Sequence, residues 1–232
     1  SYDESDATTI TLADGASTAS DDGAVTISGD TVTITAAGTY VLTGSLSDGQ
    51  VIVDSESDGE VVLVFDGVDL TSESDSPLLV TQADETTIVL ADGSRNVFSD
   101  GAGSASDDEE EDAANATLFS SDDLTIAGSG ALTVTSLEAD GITSKDGLVV
   151  LGGDITVEAG DDGIRGKDYL ALYGGSITIS AVGDGLKSDN DSDATMGYVL
   201  VDGAEIVADV GDDGVSVTTD VLVVSGSLDL SA

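Results

Sequence analysis

The sequence predicts an all-β solenoid, a single domain with about 22 residues in each turn. Three observations carry this. First, an Asp-Gly-apolar motif restarts as Asp140-Gly141-Ile142, Asp162-Gly163-Ile164, Asp184-Gly185-Leu186 and Asp213-Gly214-Val215, so successive aspartates stand 22, 22 and 29 residues apart. A fixed period of this size marks repeats that bury their apolar side only by stacking on their neighbours. Second, short runs rich in Val, Ile and Thr, punctuated by Asp-Gly or Ala-Gly, cover nearly the whole chain. Third, no segment holds a helical period over about 11 residues.

Taken in order, residues 1–24 read as an N-terminal cap that contains the strand Thr9–Leu12. Strand patterns follow at Val25–Ile27, Val32–Ile34, Tyr40–Leu42, Val51–Val53, Val61–Phe65, Leu78–Val80 and Ile88–Leu90, without acidic columns. Residues 101–114 break the rhythm. Their six consecutive acids, Asp107 to Asp112, repel one another and cannot pack, so an inserted solvated loop is expected. Residues 116–232 form the ladder region. After each Asp-Gly comes a second polar column, Asp146, Asp168 and Asn190, then an apolar strand such as Leu148–Leu151 or Leu170–Tyr173. A Gly-rich turn then leads to an alternating strand such as Ile155–Val157 or Ile177–Ile179. An earlier copy matches with Leu118, Asp122 and Leu124, but Ala116 stands where the aspartate belongs. The 29-residue interval holds about seven extra residues, Asp191 to Gly197. Ile142, Ile164, Leu186 and Val215 are expected to share one buried column.

Lys and Arg number 5 and Asp and Glu 47, a net charge of −42, while 40% of the residues are hydrophobic, enough for a core. Nucleic acid is excluded as a partner because phosphate binding needs clustered cations. No apolar run is long enough to span a membrane as a helix. The absence of Cys excludes disulfides and thiolate metal sites, and the absence of His removes the usual zinc ligand and general base. Acidity of this kind also keeps a surface solvated, so only the repeat columns argue for bound cations. The chain opens at Ser1 without a methionine, which fits removal of a signal segment and an extracellular or cell-surface location.

Carboxylates stacked about 4.8 Å apart repel by roughly 3–4 kcal/mol at an effective dielectric of 20. Interleaved cationic side chains, protonation or a divalent ion would each relieve this. Oxygen-only donors in turns suit calcium, with magnesium second. The candidate ligands are Asp140, Asp146, Asp161, Asp162, Asp168, Asp184, Asp189, Asp191 and Asp213. Ser188 to Asp193 alternates oxygen side chains as an EF-hand loop does, but it lacks the closing Glu and flanking helices, so that motif is rejected. Four of the five cationic residues, Lys145, Arg165, Lys167 and Lys187, lie in the same region and are the candidate substrate-binding residues.

Asp162 to Asp168, Gly174 to Ile179 and Gly183 to Asp191 resemble a family of secreted bacterial carbohydrate-binding-domain proteins. Gly38 to Gly44, Asp48 to Val53 and Ser121 to Ile126 fit it as well, so the resemblance runs from about Val25 to Ala232. It implies a right-handed parallel β-helix like that of pectate lyases, bound calcium, and affinity for plant-type polysaccharides, including acidic ones.

Three functions compete. The favoured one is a non-catalytic, calcium-dependent polysaccharide-binding module or adhesin. The second is a polysaccharide lyase, with calcium acidifying the proton beside a uronate carboxylate and Lys145, Lys167 or Lys187 as base. Against it, each lysine stands beside acids that favour its charged form. The third is a structural protein that stacks end to end into a homo-oligomer or filament. An ice-binding face is a distant fourth, because the Thr-x-Thr pattern of Thr31, Thr33 and Thr35 and of Thr133 and Thr135 is not sustained as a ladder.

Overall fold

The computed structural model describes residues 6–101 and 114–232. Most of the acidic loop predicted at 101–114 therefore lies outside the described residues. Among the described residues twenty-three strands follow one another. The first four are β1 (Thr8–Leu12), β2 (Thr18–Ala19), β3 (Val25–Ser28) and β4 (Thr31–Ile34). Next come β5 (Gly38–Leu46), β6 (Gln50–Asp54), β7 (Glu60–Ser72), β8 (Leu78–Gln82), β9 (Glu85–Leu90) and β10 (Arg95–Asp100). The ladder region opens with β11 (Ala116–Ser120), β12 (Leu124–Gly128), β13 (Ala131–Thr135), β14 (Asp140–Ser144), β15 (Gly147–Val150) and β16 (Asp154–Ala159). It continues through β17 (Ile164–Gly166), β18 (Tyr169–Leu172), β19 (Ser176–Ala181), β20 (Leu186–Ser188), β21 (Tyr198–Val210), β22 (Val215–Val217) and β23 (Val221–Ser231).

The all-β, single-domain expectation agrees with this architecture, but the right-handed parallel β-helix solenoid is corrected. Ten parallel strands close a ring in the order β7-β10-β13-β16-β19-β21-β18-β15-β12-β9 and back to β7, with a second, nine-stranded sheet beside it. Two 13-residue strands make the closure. β7 pairs β9 through Val61–Phe65 and β10 through Asp69–Ser72. β21 pairs β18 through Tyr198–Val201 and β19 through Glu205–Val210. Each turns a corner at a glycine in the left-handed region, Gly67 (φ 79°) and Gly203 (φ 117°), where another residue would be strained. The sequence pattern places a break at each corner. The backbone instead carries the strand through it.

Within this frame the 22-residue spacing sets the register. Ile142 pairs Ile164, Ile164 pairs Leu186, and Leu186 pairs Val215 in the second sheet. The 29-residue interval keeps that register because the extra residues are taken up in one bend. There Asn190 Oδ1 accepts the N–H groups of Ser192 and Asp193, and Asp193 Oδ1 accepts that of Thr195. The chain rejoins where Gly197 N–H donates to the Asp168 carbonyl. Leu118, Ile142, Ile164 and Leu186 are fully buried, and Val215 is partly so. The two antiparallel pairings, β1 with β2 and β3 with β4, both lie at the N-terminal side of the sheets.

Candidate functional site

Strands β14, β17 and β20 bring the Asp-Gly motifs together. Asp140 is 1% exposed, Asp162 5% and Asp184 6%. Burial on this scale requires partners for the carboxylates, and the backbone supplies them. Asp140 Oδ1 accepts the Asp162 N–H at 3.1 Å, Asp162 Oδ1 accepts the Asp184 N–H at 2.8 Å, and Asp184 Oδ1 accepts the Asp213 N–H at 3.0 Å. The repeated aspartate is therefore first a staple between neighbouring repeats.

The second carboxylate oxygens are used differently along the column. Lys187 Nζ lies 2.7 Å from Asp162 Oδ2 and 3.2 Å from Asp184 Oδ2. This ammonium divides the acidic column into two clusters. Asp140, Asp161 and Asp162 offer carboxylate oxygens within 4.8 Å of one another, and so do Asp184, Asp212 and Asp213. Burial alone would push the Lys187 ammonium down, but its hydrogen bonds to Asp162 and Asp184 and their charges hold it well above the usual lysine range. Asp140 Oδ2 accepts from Thr143 Oγ1 at 2.9 Å and Asn115 Nδ2 at 3.0 Å. Burial and the neighbouring Asp162 charge nevertheless push the Asp140 carboxyl up to about 6.

The remaining predicted ligands lie elsewhere. Asp189 forms a two-point ion pair with Arg165, at 2.6 and 3.2 Å, which occupies both of its oxygens. Asp168 accepts from Asn190 Nδ2. Asp146 is raised by burial and then by Asp168, Asp123 and Asp122, and belongs to neither cluster. Asp191 is exposed in the bend after β20. Two residues absent from the predicted set belong to the site. Asp212 is the counterpart of Asp161, a relation readable in the doublets Asp161-Asp162 and Asp212-Asp213. Asn115 precedes β11, and only the fold brings it to Asp140.

A hard cation fits the first cluster. All donors are oxygens, and the buried Asn115 Oδ1 has no hydrogen-bond partner among the described residues while its Nδ2 holds Asp140. A buried orphan acceptor beside a carboxyl kept protonated to about pH 6 is the arrangement a divalent ion would satisfy.

The cationic residues flank this column. Thr143, Arg165, Lys187 and Ser216 are in register across the second sheet, and Lys145 and Lys167 follow β14 and β17. Lys145 Nζ lies 5.7 Å from the Phe119 ring centroid. Its ammonium is pushed down by burial, then by Arg165 and Lys167, with Asp140 and Asp189 opposing. At Lys145 burial, rather than the nearby carboxylates, is therefore the leading influence.

Comparison with known proteins adds the following. The family described as "Carbohydrate-binding domain-containing protein" matches residues 28–232. A protein of that description from Acetivibrio thermocellus (strain ATCC 27405) is 39% identical over 128 residues, which is 55% of this chain and 45% of that protein. The match thus spans less than half of that relative's length. The solved structure of a "polysaccharide lyase-like protein from C. thermocellum", a gadolinium derivative, superposes with a TM-score of 0.85 at 30% identity, covering 96% of this chain and 99% of the other.

Proposed function

This chain belongs to the carbohydrate-binding domain-containing protein family, and we propose that it binds an extracellular polysaccharide of acidic or plant-cell-wall type through calcium, without cleaving it. The observation that carries this reading is the oxygen cluster of Asp140, Asp161 and Asp162 with the orphaned Asn115 Oδ1 beside Asp140. Calcium, when bound, would bridge these carboxylates to sugar carboxylates or hydroxyls. Asp140, Asp161 and Asp162 would hold it, and Lys187 fixes the orientation of Asp162. Lys145 and Lys167 place positive charge alongside, which draws an anionic chain to a molecule otherwise strongly negative. The setting proposed is secreted or cell-surface.

Calorimetric titration of polygalacturonate tests this. Binding is expected in calcium and not in EDTA. Asp161→Asn, at an exposed position outside the aspartate staple, is expected to weaken calcium binding about tenfold while leaving the fold intact. Equal binding with and without EDTA would overturn the calcium step. No glycan binding, with end-to-end filaments in electron micrographs, would favour a structural role.

The raised Asp140 carboxyl adds a pH dependence. Its folded value of about 6 lies above its ordinary 3.8, so in the calcium-free protein its protonation stabilises the fold. That contribution, on the order of 3 kcal/mol, is complete below about pH 4 and is lost as pH rises through about 6. Calcium requires the ionised form, so calcium affinity is expected to fall as pH drops below about 6 and binding to release a proton. Titration in two buffers of different ionisation enthalpy reads that proton.

One observation favours a second reading. Burial, then Arg165 and Lys167, lower the Lys145 ammonium, the direction that favours a proton-abstracting base. Steady formation of unsaturated uronate products that disappears in Lys145→Met would establish a lyase. Absence of product would leave binding alone.

A further inference from the structure

The outward face of the ring carries a groove of about 540 Å³, on a different sheet from the aspartate column. Its floor is one register column, Thr39, Val62, Thr87, Thr125 and Val149, from β5, β7, β9, β12 and β15. Five strands at about 4.8 Å give a length of roughly 19 Å. Outward positions of a sheet that faces water are ordinarily polar. Here Val62 and Val149 are set among the threonines, and the same column runs on through Ala171 and Leu200. Leu151, which also lines the groove, is 52% exposed.

One margin is acidic. Glu60 and Glu85 are in register and line the groove. Burial, then Glu60, Asp123 and Asp84, push the Glu85 carboxyl up. On the strands beyond the groove, Gly147, Tyr169 and Tyr198 are in register with one another. The Tyr169 ring fills the space that a side chain at Gly147 would need. The Tyr169 and Tyr198 rings run parallel, with centroids 5.7 Å and planes 13° apart. None of the lining residues carries a positive charge.

We propose that this groove is a second glycan site that takes an uncharged polysaccharide chain and needs no cation. Apolar faces of the sugar rings would lie on Val62, Val149 and Leu151. Sugar hydroxyls would donate to Glu60 and Glu85 and exchange hydrogen bonds with the threonines. The acidic margin without a counter-charge disfavours a uronate chain. A second copy of this chain is disfavoured too, since each carries a net charge of −42. That the ligand is a glycan rests on the family reading above. The groove's position and its preference for an uncharged ligand rest on the lining alone.

Native electrophoresis in gels containing glucomannan, xyloglucan, hydroxyethylcellulose or polygalacturonate, each in calcium and in EDTA, tests the site. Retardation is expected in at least one uncharged glycan, equal in calcium and EDTA. The double variant Thr87→Gln, Thr125→Gln fills the groove and is expected to weaken binding at least tenfold. Leu151→Ser, at an exposed position lining the groove, is expected to weaken it severalfold and carries the test if the double variant fails to fold. Asp161→Asn is expected to leave it unchanged. The proposal is overturned if no uncharged glycan retards the protein, if Leu151→Ser and every folded groove variant bind like the parent, or if EDTA abolishes the retardation. Loss of calcium-dependent polygalacturonate binding, with uncharged glycans still bound, would sink the cation-site reading and leave the groove standing.

Discussion

Replacing Lys187 by methionine is expected to lower the thermal midpoint of the calcium-free protein by about 5–10 °C, and added calcium is expected to restore part of the loss. The ammonium touches two carboxylates, on Asp162 and Asp184, that are otherwise almost wholly out of water. Removing one partner of a buried pair costs about 3–5 kcal/mol, and the partial exposure of Lys187 reduces this to roughly 2–3 kcal/mol. For a chain of this length each kcal/mol moves the midpoint by about 2–4 °C. A divalent ion entering the merged acidic column would replace the lost charge, so the variant should depend on calcium more than the parent. A midpoint in EDTA equal to the parent's would show that the ammonium does not hold the column.

A comparable loss is expected from Gly163→Ala, although it adds only a methyl group. A Cβ on Gly163 would lie 2.5 Å from Ile179 Cγ2 and 2.7 Å from the Gly185 carbonyl oxygen. The second obstacle is the backbone of the next repeat, fixed there by the hydrogen bond from Ile164 N–H to the Gly185 carbonyl. The carbonyl cannot yield without parting β17 from β20, so the cost should be about 3 kcal/mol, or roughly 6–12 °C in the midpoint. Gly141 and Gly185 are hemmed in likewise by the carbonyls of Gly163 and Gly214, each at 2.8 Å. The Asp-Gly pair thus has a joint explanation: the aspartate staples the repeats, and the glycine lets them come close enough. Differential scanning calorimetry of Gly163→Ala would count against it by showing an unchanged midpoint.

Much of this architecture was legible in the residues. Period-2 alternation in runs such as Ile155–Val157 and Ile177–Ile179 located strands, and the 22-residue spacing set their register. Closure of the ring was not legible. Val61–Phe65 reads as a complete strand, and nothing local says that β7 continues through Gly67 to Ser72 and pairs on a second side. The acidic column was legible, but its division was not, because the reach of Lys187 to Asp162 depends on stacking rather than spacing. Asp189 reads as a ligand until Arg165 is found to hold it. The lowering of the Lys145 ammonium was hidden as well, because its burial and its cationic neighbours are set by the fold. The groove was hidden for a related reason. Val62 and Val149 belong to alternating strands whose pattern does not say which face looks outward into a concavity.

The bend between β20 and β21 separates length from register. Leu186 still meets Val215 although their spacing exceeds the common one by seven residues, and Tyr169 still meets Tyr198. The Asn190 and Asp193 side chains close the bend upon itself, and the Gly197 amide returns it to the Asp168 carbonyl. This corner is a ready attachment point for foreign sequence. A peptide tag or a second recognition loop spliced between Asp191 and Thr195 would replace these side-chain turns and project from the surface, while the Asn190 and Gly197 amides stay on the Lys167 and Asp168 carbonyls. A molecule whose strands tolerate almost no added volume therefore carries one address at which cargo can be mounted.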